Sequence, residues 1–227
     1  MSNLNLEQLR TMPAATAGEI AAIRNRLETQ RPQFVFDEEY LACLAFGGTI
    51  QSAYIPTNEN ILPVPMNPGL ERLAELSARY GIANKRGGGV TGAILNVKDS
   101  RQLINADVVS LVHTIQQIPN KKILVSCGTY MLPLIGQALD FSFGQGKSNK
   151  IIGLTGSWLP FAIESSDADF NLGGVIASIN AYAAINKTGI VFAHFHGNIS
   201  VGADMAKLDL HLPGINPKLA FPAVETR

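Results

Sequence analysis

Apolar and polar positions alternate in blocks along most of this chain. Continuous apolar runs are typical of buried strands, and they cover residues 41–46, 93–97, 122–126, 150–154 and 189–195. Between them, apolar residues recur at helical spacing, which predicts amphipathic helices over 67–80, over 105–118 and around 172–179. Strands that alternate with helices predict an α/β fold, a three-layer domain whose mostly parallel sheet is flanked by helices.

The two ends of the chain lack this alternation. The first 40 residues are polar with helical spacing and include a capping-box pair at Thr16 and Glu19. Residues 213–227 contain three prolines and are typical of an extended tail. We therefore expect a helical extension over 1–40, which packs on the domain or on a partner chain, an α/β domain over 41–212 and an extended tail over 213–227.

Composition narrows the class of protein. Lysine plus arginine and aspartate plus glutamate both number 18, so no cationic field exists to hold nucleic acid or an anionic membrane. Cys43 and Cys127 lie in or beside apolar runs, which favours reduced core thiols over a disulfide. The chain shows neither a signal peptide nor an apolar span of about 18 residues. We expect a soluble, cytoplasmic protein.

Glycine and hydroxyl residues follow four of the predicted strands. The turns are GGTI at 47–50, DSRQ at 99–102, CGTY at 127–130 and TGSW at 155–158. Parallel strands would bring these turns to one edge of the sheet, where open α/β sheets bind small molecules. Thr49 and Thr129 would then face each other across a crevice, with Lys207 near enough to act as a base. Simpler interpretations are a tight turn with an incidental threonine and a solvated surface lysine.

These motifs resemble the bacterial type of the L-asparaginase/glutaminase family, whose nucleophile is a threonine. GGTI at 47–50 is similar to the first family signature, and residues 125–139 are similar to the second, HGTDT followed by a helix. Residues 150–172 resemble LTGAMRP…SADGxxNL, and residues 189–209 resemble the strand and hairpin that end at the catalytic lysine. The resemblance implies an asparaginase N-terminal-domain-like fold, which includes a left-handed crossover.

The resemblance implies catalytic roles for four residues. Thr49 would be the nucleophile that attacks a side-chain amide carbonyl and forms an acyl-enzyme. Tyr54 would assist it from a flap. Thr129 matches the family's second threonine, and Lys207 matches the lysine that hydrogen-bonds to it.

The resemblance also implies the residues that would bind a small-molecule amide substrate. Ser100 matches the serine that binds the α-carboxylate, and Ser157 lies at the position whose backbone carbonyl contacts the amide. The implied binding residues are Gly48, Asp99, Ser100, Gly128, Tyr130 and Ser157. The family implies a homo-oligomer, no cofactor and no metal.

Departures from the family pattern bear on the substrate. Tyr130 stands where the family has the aspartate that binds the α-ammonium, and a phenol with a pKa of about 10 carries no charge at neutral pH. Cys127 replaces a histidine, and Met131 replaces a second hydroxyl. Enzymes of the family pair as dimers, in which the second domain of one chain contributes to the active site of the other. The sequence reaches only about the linker that precedes this second domain. We therefore expect an altered substrate preference, for a side-chain or small carboxamide without a free α-ammonium.

Two other functions are open at this stage. One is a catalytically inactive asparaginase-like protein that binds a ligand or serves as a scaffold, which Tyr130 and the missing domain favour. The other is an assembly subunit whose site another chain completes, with the extension over 1–40 as the docking element.

Other residues that could carry chemistry have weaker support. His194 and His196 could seat a metal, but we expect a core or rim role because no further ligand lies at suitable spacing. Cys127 could be a thiol nucleophile, but we expect a packed thiol because no histidine is marked as its base. Trp158 and Phe161 would line an apolar pocket or cover exposed surface.

Overall fold

The computed structural model describes residues 40–56, 61–65, 90–161, 163 and 165–207, together with the single residue 18. The expected extension over 1–40 lies outside these described residues, apart from residues 18 and 40. The expected helix over 67–80 and the tail over 213–227 also lie outside them. None of the described helices combines the length and apolar character that crossing a membrane requires.

Eight strands lie in the described part of the chain. Their bounds are β1 Leu41–Phe46, β2 Ser52–Pro56, β3 Ile61–Pro65, β4 Val90–Asn96, β5 Lys122–Ser126, β6 Ile151–Thr155, β7 Ile190–Phe195 and β8 Asn198–Val201. Six of them form one sheet in the order β4-β1-β5-β6-β7-β8, parallel except for the antiparallel pair β7 and β8. The strands β2 and β3 form a separate antiparallel hairpin.

Helices and short 3-10 turns connect these strands. In the described part of the chain the helices are α1 (Asn105–Gln117), α2 (Leu132–Phe143) and α3 (Ala168–Ala184), and the 3-10 turns are Thr49–Gln51, Ser100–Gln102 and Gly202–Lys207. Pro133 lies in the first turn of α2, where its missing N–H would have no partner within the helix anyway.

The two faces of the sheet carry separate cores, because successive strand residues point to opposite faces. Val125 of β5 lies in one core with α1 and α2, whereas Leu124 lies in the other with α3. The helix α2 leads from β5 to β6 and α3 leads from β6 to β7, both in the same direction across the sheet. Connections of one hand would place both helices on one face, so one of the two is left-handed. The family resemblance implies such a connection.

The predicted three-layer α/β fold is confirmed. Each strand predicted from an apolar run is present within a few residues of its predicted bounds, and α1 and α3 occupy two of the predicted helical regions. The spacing of apolar residues alone did not predict α2, nor the strands β2, β3 and β8.

Two buried polar side chains fasten the edge at which the strands begin, hereafter the amino edge. The Lys150 ammonium donates to the carbonyls of Ile118 and Asn120 at 2.8 and 3.0 Å. The Asn120 amide donates to the carbonyl of Tyr40 at 3.0 Å. Burial of Lys150 lowers the pKa of its ammonium. These hydrogen bonds join the chain just before β1, β5 and β6.

Candidate functional site

The turn after β1 lies at the other edge of the sheet, hereafter the carboxyl edge. Gly47 and Gly48 have φ values of +76° and +87°, which glycine adopts without the steric penalty of a side chain. The Gly48 N–H donates to the carbonyl of Lys98 at 3.0 Å, which ties this turn to the one after β4. Thr49 opens the 3-10 turn Thr49–Gln51 and is half-buried, so part of its surface remains open to solvent.

Glycines bring three turns of this edge into direct contact. A Cβ placed on Gly48 would overlap the backbone of Gly128, and one placed on Gly128 would overlap the side chain of Ser100. Ser100 is buried in this contact. The turns after β1, β4 and β5 therefore meet, as the parallel arrangement of the strands predicts.

The turn after β5 carries the second threonine. Thr129 and its neighbour Tyr130 are both half-buried. The turn is fixed to the next strand because the Cys127 N–H donates to the carbonyl of Thr155 at 2.9 Å. The two predicted threonines thus lie on turns that touch through Gly48 and Gly128.

Both cysteines are free, fully buried core residues on opposite faces of the sheet. Burial raises the pKa of the Cys43 and Cys127 thiols to about 12. A thiol protonated at neutral pH is a poor nucleophile. The packed-thiol interpretation of Cys127 is therefore confirmed, and Cys127 is not a candidate nucleophile.

The turn after β4 contains an internal ion pair. The Asp99 carboxylate accepts from the backbone N–H of Arg101 at 2.9 Å and from its guanidinium at 2.9 and 3.2 Å. The hydrogen bond from Arg101 lowers the pKa of Asp99, and the same hydrogen bond raises the pKa of Arg101. The predicted binding residue Asp99 thus presents a carboxylate that Arg101 already neutralises.

The turn after β6 packs against the other turns. A Cβ on Gly156 would lie 2.6 Å from the Cys127 carbonyl oxygen and 3.1 Å from the Thr129 methyl carbon. Ser157 is fully buried, and its hydroxyl donates to the carbonyl of Leu159. A substrate could reach the Ser157 carbonyl only if this turn moved. Phe161 is a core residue, so it neither lines an open pocket nor covers exposed surface.

The Asp167 carboxylate holds the turn after β6 in place. It accepts from the N–H groups of Trp158 and Leu159 at 3.0–3.1 Å and from the Asn171 amide at 3.0 Å. It also lies 2.8 Å from the Nε2 atom of His196. The Trp158 ring packs edge-on against His196 with 4.1 Å between ring centroids. Trp158 therefore packs against other residues of the carboxyl edge.

The two histidines of this region have separate partners. The Nδ1 atom of His194 lies 3.1 Å from the Ser178 hydroxyl, and burial lowers the pKa of His194. His196 contacts Asp167 instead. These contacts fit the core and rim roles expected for the two rings. Within the described part of the chain, no group of three or more potential ligands could hold a metal ion.

The structure describes only the backbone of two predicted catalytic residues. Tyr54 lies in β2, and Lys207 ends the 3-10 turn Gly202–Lys207; their side chains lie outside the described part. The turn that carries Lys207 docks on α2, because Met205 is fully buried and its sulfur fills the space beside Gly136. The positions of the Tyr54 phenol and the Lys207 amine therefore stay predictions.

Sequence reasoning missed two polar residues that shape this edge. Gln51 is buried and bonds to Gly47 and Ser126, and nothing in its local sequence distinguishes it from a surface glutamine. Asp167 lies inside the stretch that resembles the family's SADG motif, so that motif could have indicated it.

Comparison with known proteins agrees with this architecture. The family model described as "Asparaginase, N-terminal" matches residues 40–212. Solved structures of similar fold include the thermostable L-asparaginase from Thermococcus kodakarensis, with 23% identity, a TM-score of 0.54 and coverage of 72% of this chain and 46% of that one. A probable cytoplasmic L-asparaginase from Campylobacter jejuni matches with 20% identity, a TM-score of 0.54 and coverage of 72% and 48%. The chain thus spans about half the length of these proteins. No curated protein matches the chain in sequence.

Proposed function

We propose that this chain, which belongs to the asparaginase family, hydrolyses a carboxamide with Thr49 as the nucleophile. The observation that carries the proposal is the meeting of four turns at the carboxyl edge, which brings the turns of Thr49 and Thr129 into contact. Both threonines are half-buried, which suits a group that must meet a substrate while being partly shielded from water.

The proposed reaction is acyl transfer in two steps. The Thr49 oxygen forms a bond to the amide carbon, the carbon–nitrogen bond breaks, and the leaving nitrogen takes up the hydroxyl proton to depart as ammonia. Water then attacks the resulting ester, which releases the carboxylic acid and restores the hydroxyl. A threonine hydroxyl is a weak nucleophile and needs a base. Thr129 with Lys207 would relay that proton, and Tyr54 would assist from β2.

Substrate binding is proposed for the same turns. Ser100, beside Gly128, would bind the carboxylate of the substrate, and the backbones of Gly48 and Gly128 would line the crevice. The Ser157 carbonyl would join them if the turn after β6 opens. No cofactor is needed for this chemistry.

The charges around the crevice argue for an altered substrate. In the described rim turns, Asp99 is neutralised by Arg101, and Asp167 is bound by backbone N–H groups and by His196. Tyr130 supplies a phenol where the family resemblance implies an aspartate. An α-ammonium would therefore meet no uncommitted carboxylate among these described residues. We propose that the substrate is an amide without a free α-ammonium.

A ligand-binding or scaffold protein without catalysis is the second candidate. The burial of Ser157 and the presence of Tyr130 favour it, because both remove groups that the family's chemistry would use.

Together with the hydrolase activity we propose a homo-oligomer and a cytoplasmic location. In the oligomer, another chain would complete the site, as the assembly alternative requires.

Amide hydrolysis by the purified protein tests this proposal. The panel contains asparagine, glutamine, N-acetylasparagine and small peptide amides, with ammonia release as the readout. We expect the N-acylated amides to be hydrolysed faster than asparagine, and Thr49→Ala to lower the rate by at least about 10³-fold. Thr114→Ala is the matched control, since that hydroxyl donates to Ser110 within α1. If no amide is hydrolysed, or if Thr49→Ala matches the wild type, the proposal is wrong.

A further inference from the structure

One glutamine joins the two threonine turns through hydrogen bonds at both ends of its amide. The Gln51 Oε1 atom accepts from the Gly47 N–H at 2.9 Å, and its Nε2 atom donates to the Ser126 hydroxyl oxygen at 2.8 Å. Gln51 and Ser126 are each only 6% exposed. Both hydrogen bonds are therefore internal to the protein and shielded from competing water.

The two partners of Gln51 flank the threonines in sequence. Gly47 lies two residues before Thr49, and Ser126 ends β5 three residues before Thr129. The contact between Gly48 and Gly128 limits how closely the turns can approach. The Gln51 amide limits how far they can separate. Beyond the pairing of β1 with β5, in which Ala45 lies opposite Ser126, the two contacts restrict the spacing of the turns from both directions.

The turn after β1 does not depend on the Gln51 amide for its own closure. The Gln51 backbone N–H donates to the Gly48 carbonyl at 3.1 Å, and the Ser52 hydroxyl donates to the same carbonyl at 3.1 Å. Replacing the amide by an apolar side chain would leave the Gly47 N–H and the Ser126 hydroxyl buried without this partner, so the amide also contributes to stability. It favours one geometry as well, and support of this kind holds reacting groups in place.

We infer that Gln51 is a positioning residue, which acts through its hydrogen bonds to hold Thr49 and Thr129 at the spacing that acyl transfer requires. This inference rests on the proposed function and names a residue that supports it without touching the substrate. Because Gln51 is only 6% exposed, its loss should affect the chemical step more than substrate binding.

A double-mutant cycle tests the inference. The variants are Gln51→Met, Ser126→Ala and the double variant, each assayed for kcat and KM on the best amide of the panel. We expect Gln51→Met to lower kcat by about 10- to 100-fold, as small misplacements of reacting groups do, with KM changed by less than about twofold. The double variant should be no slower than Gln51→Met, because both substitutions break one chain of hydrogen bonds.

Controls separate positioning from folding. Gln116→Met changes an exposed glutamine of α1 and should leave kcat unchanged. Thermal unfolding identifies any variant that fails to fold, and Ser126→Ala then carries the test because it removes only one hydroxyl. A folded Gln51→Met protein with kcat within about twofold of wild type overturns the inference while leaving the proposed function intact. So do losses in the two single variants that add up in the double variant. A wild type that hydrolyses no amide overturns both.

Discussion

The amino edge and the carboxyl edge of the same sheet are held together in different ways. At the amino edge, the buried side chains of Lys150 and Asn120 donate to backbone carbonyls. At the carboxyl edge, Gln51 and Asp167 also form side-chain hydrogen bonds, but the glycines Gly48 and Gly128 in addition let backbones touch, and the threonines beside them stay half-buried. The polar groups of Lys150 and Asn120 are used in hydrogen bonds to the backbone. A backbone contact at glycine leaves the neighbouring threonine side chains available for other contacts. An edge of a sheet can therefore be closely packed and still offer reactive groups.

The largest effect should come from breaking the glycine contact. Gly48→Ala would place a Cβ onto the backbone of Gly128 at a φ of +87°, so we expect the free energy of unfolding to fall by about 3 kcal/mol or more. Gly173→Ala is the control, since that exposed glycine of α3 has nothing within 4 Å and should stabilise the protein by about 0.5–1 kcal/mol. Urea denaturation measures both. An unchanged Gly48→Ala midpoint would mean that the two turns separate freely.

The amino edge should lose stability without losing activity. Lys150→Met removes the donor for the carbonyls of Ile118 and Asn120, and we expect a loss of about 2 kcal/mol in the free energy of unfolding. Because this edge lies opposite the proposed site, kcat should stay within about twofold of wild type. Lys187→Met, at an exposed lysine, is the control. A large drop in kcat with little loss of stability would contradict the division between the edges.

A charge added at the carboxyl edge should change selectivity. Tyr130→Asp supplies the carboxylate that an α-ammonium would pair with. We expect the ratio of kcat/KM for asparagine over N-acetylasparagine to rise by about tenfold, the effect of one charged hydrogen bond. Asparagine has nearly the shape of aspartate without its charge, so Tyr130→Asn should leave the ratio near wild type. Equal ratios for both variants would argue against a role of this position in ammonium binding.

The smallest effect concerns the exposed pair of Asp99 and Arg101. The hydrogen bond from Arg101 lowers the pKa of Asp99, so the pair stabilises the protein above the carboxyl's ordinary pKa of 3.8. That contribution is lost as the pH falls through the lower folded-state value. Arg101→Met should therefore cost less than about 1 kcal/mol at pH 7 and less still in strong acid. The check is the difference in unfolding free energy between wild type and variant across this range, and a difference that grows in acid would contradict it.

Local patterns predicted the five parallel strands of the sheet because each is largely apolar along its length, but they missed β2, β3 and β8. They did not predict α2, in which Pro133 and Gly136 weaken the helical signal. The family resemblance pointed to turns that meet at the carboxyl edge, since their glycines and threonines lie together in sequence. The order of strands in the sheet did not follow from local periodicity.

The polar contacts of the site could not be predicted for a physical reason. The Gln51 amide donates to Ser126, which lies 75 positions away in sequence, so no local pattern reveals this hydrogen bond. The Asp99 carboxylate is neutralised by a neighbour, Arg101, whose sequence position alone does not reveal that it folds back. Such contacts depend on three-dimensional proximity and rotamer choice.

The opposite hands of two successive connections have a consequence for where a ligand can enter. The chain leaves β5 toward the face of α2 and leaves β6 toward the face of α3. Diverging exits of this kind mark a topological switch point, where ligands of open α/β sheets settle. The point at which the exits of β5 and β6 diverge is therefore a product of connectivity, and it would survive many changes of side chain while the identity of any molecule bound there changed.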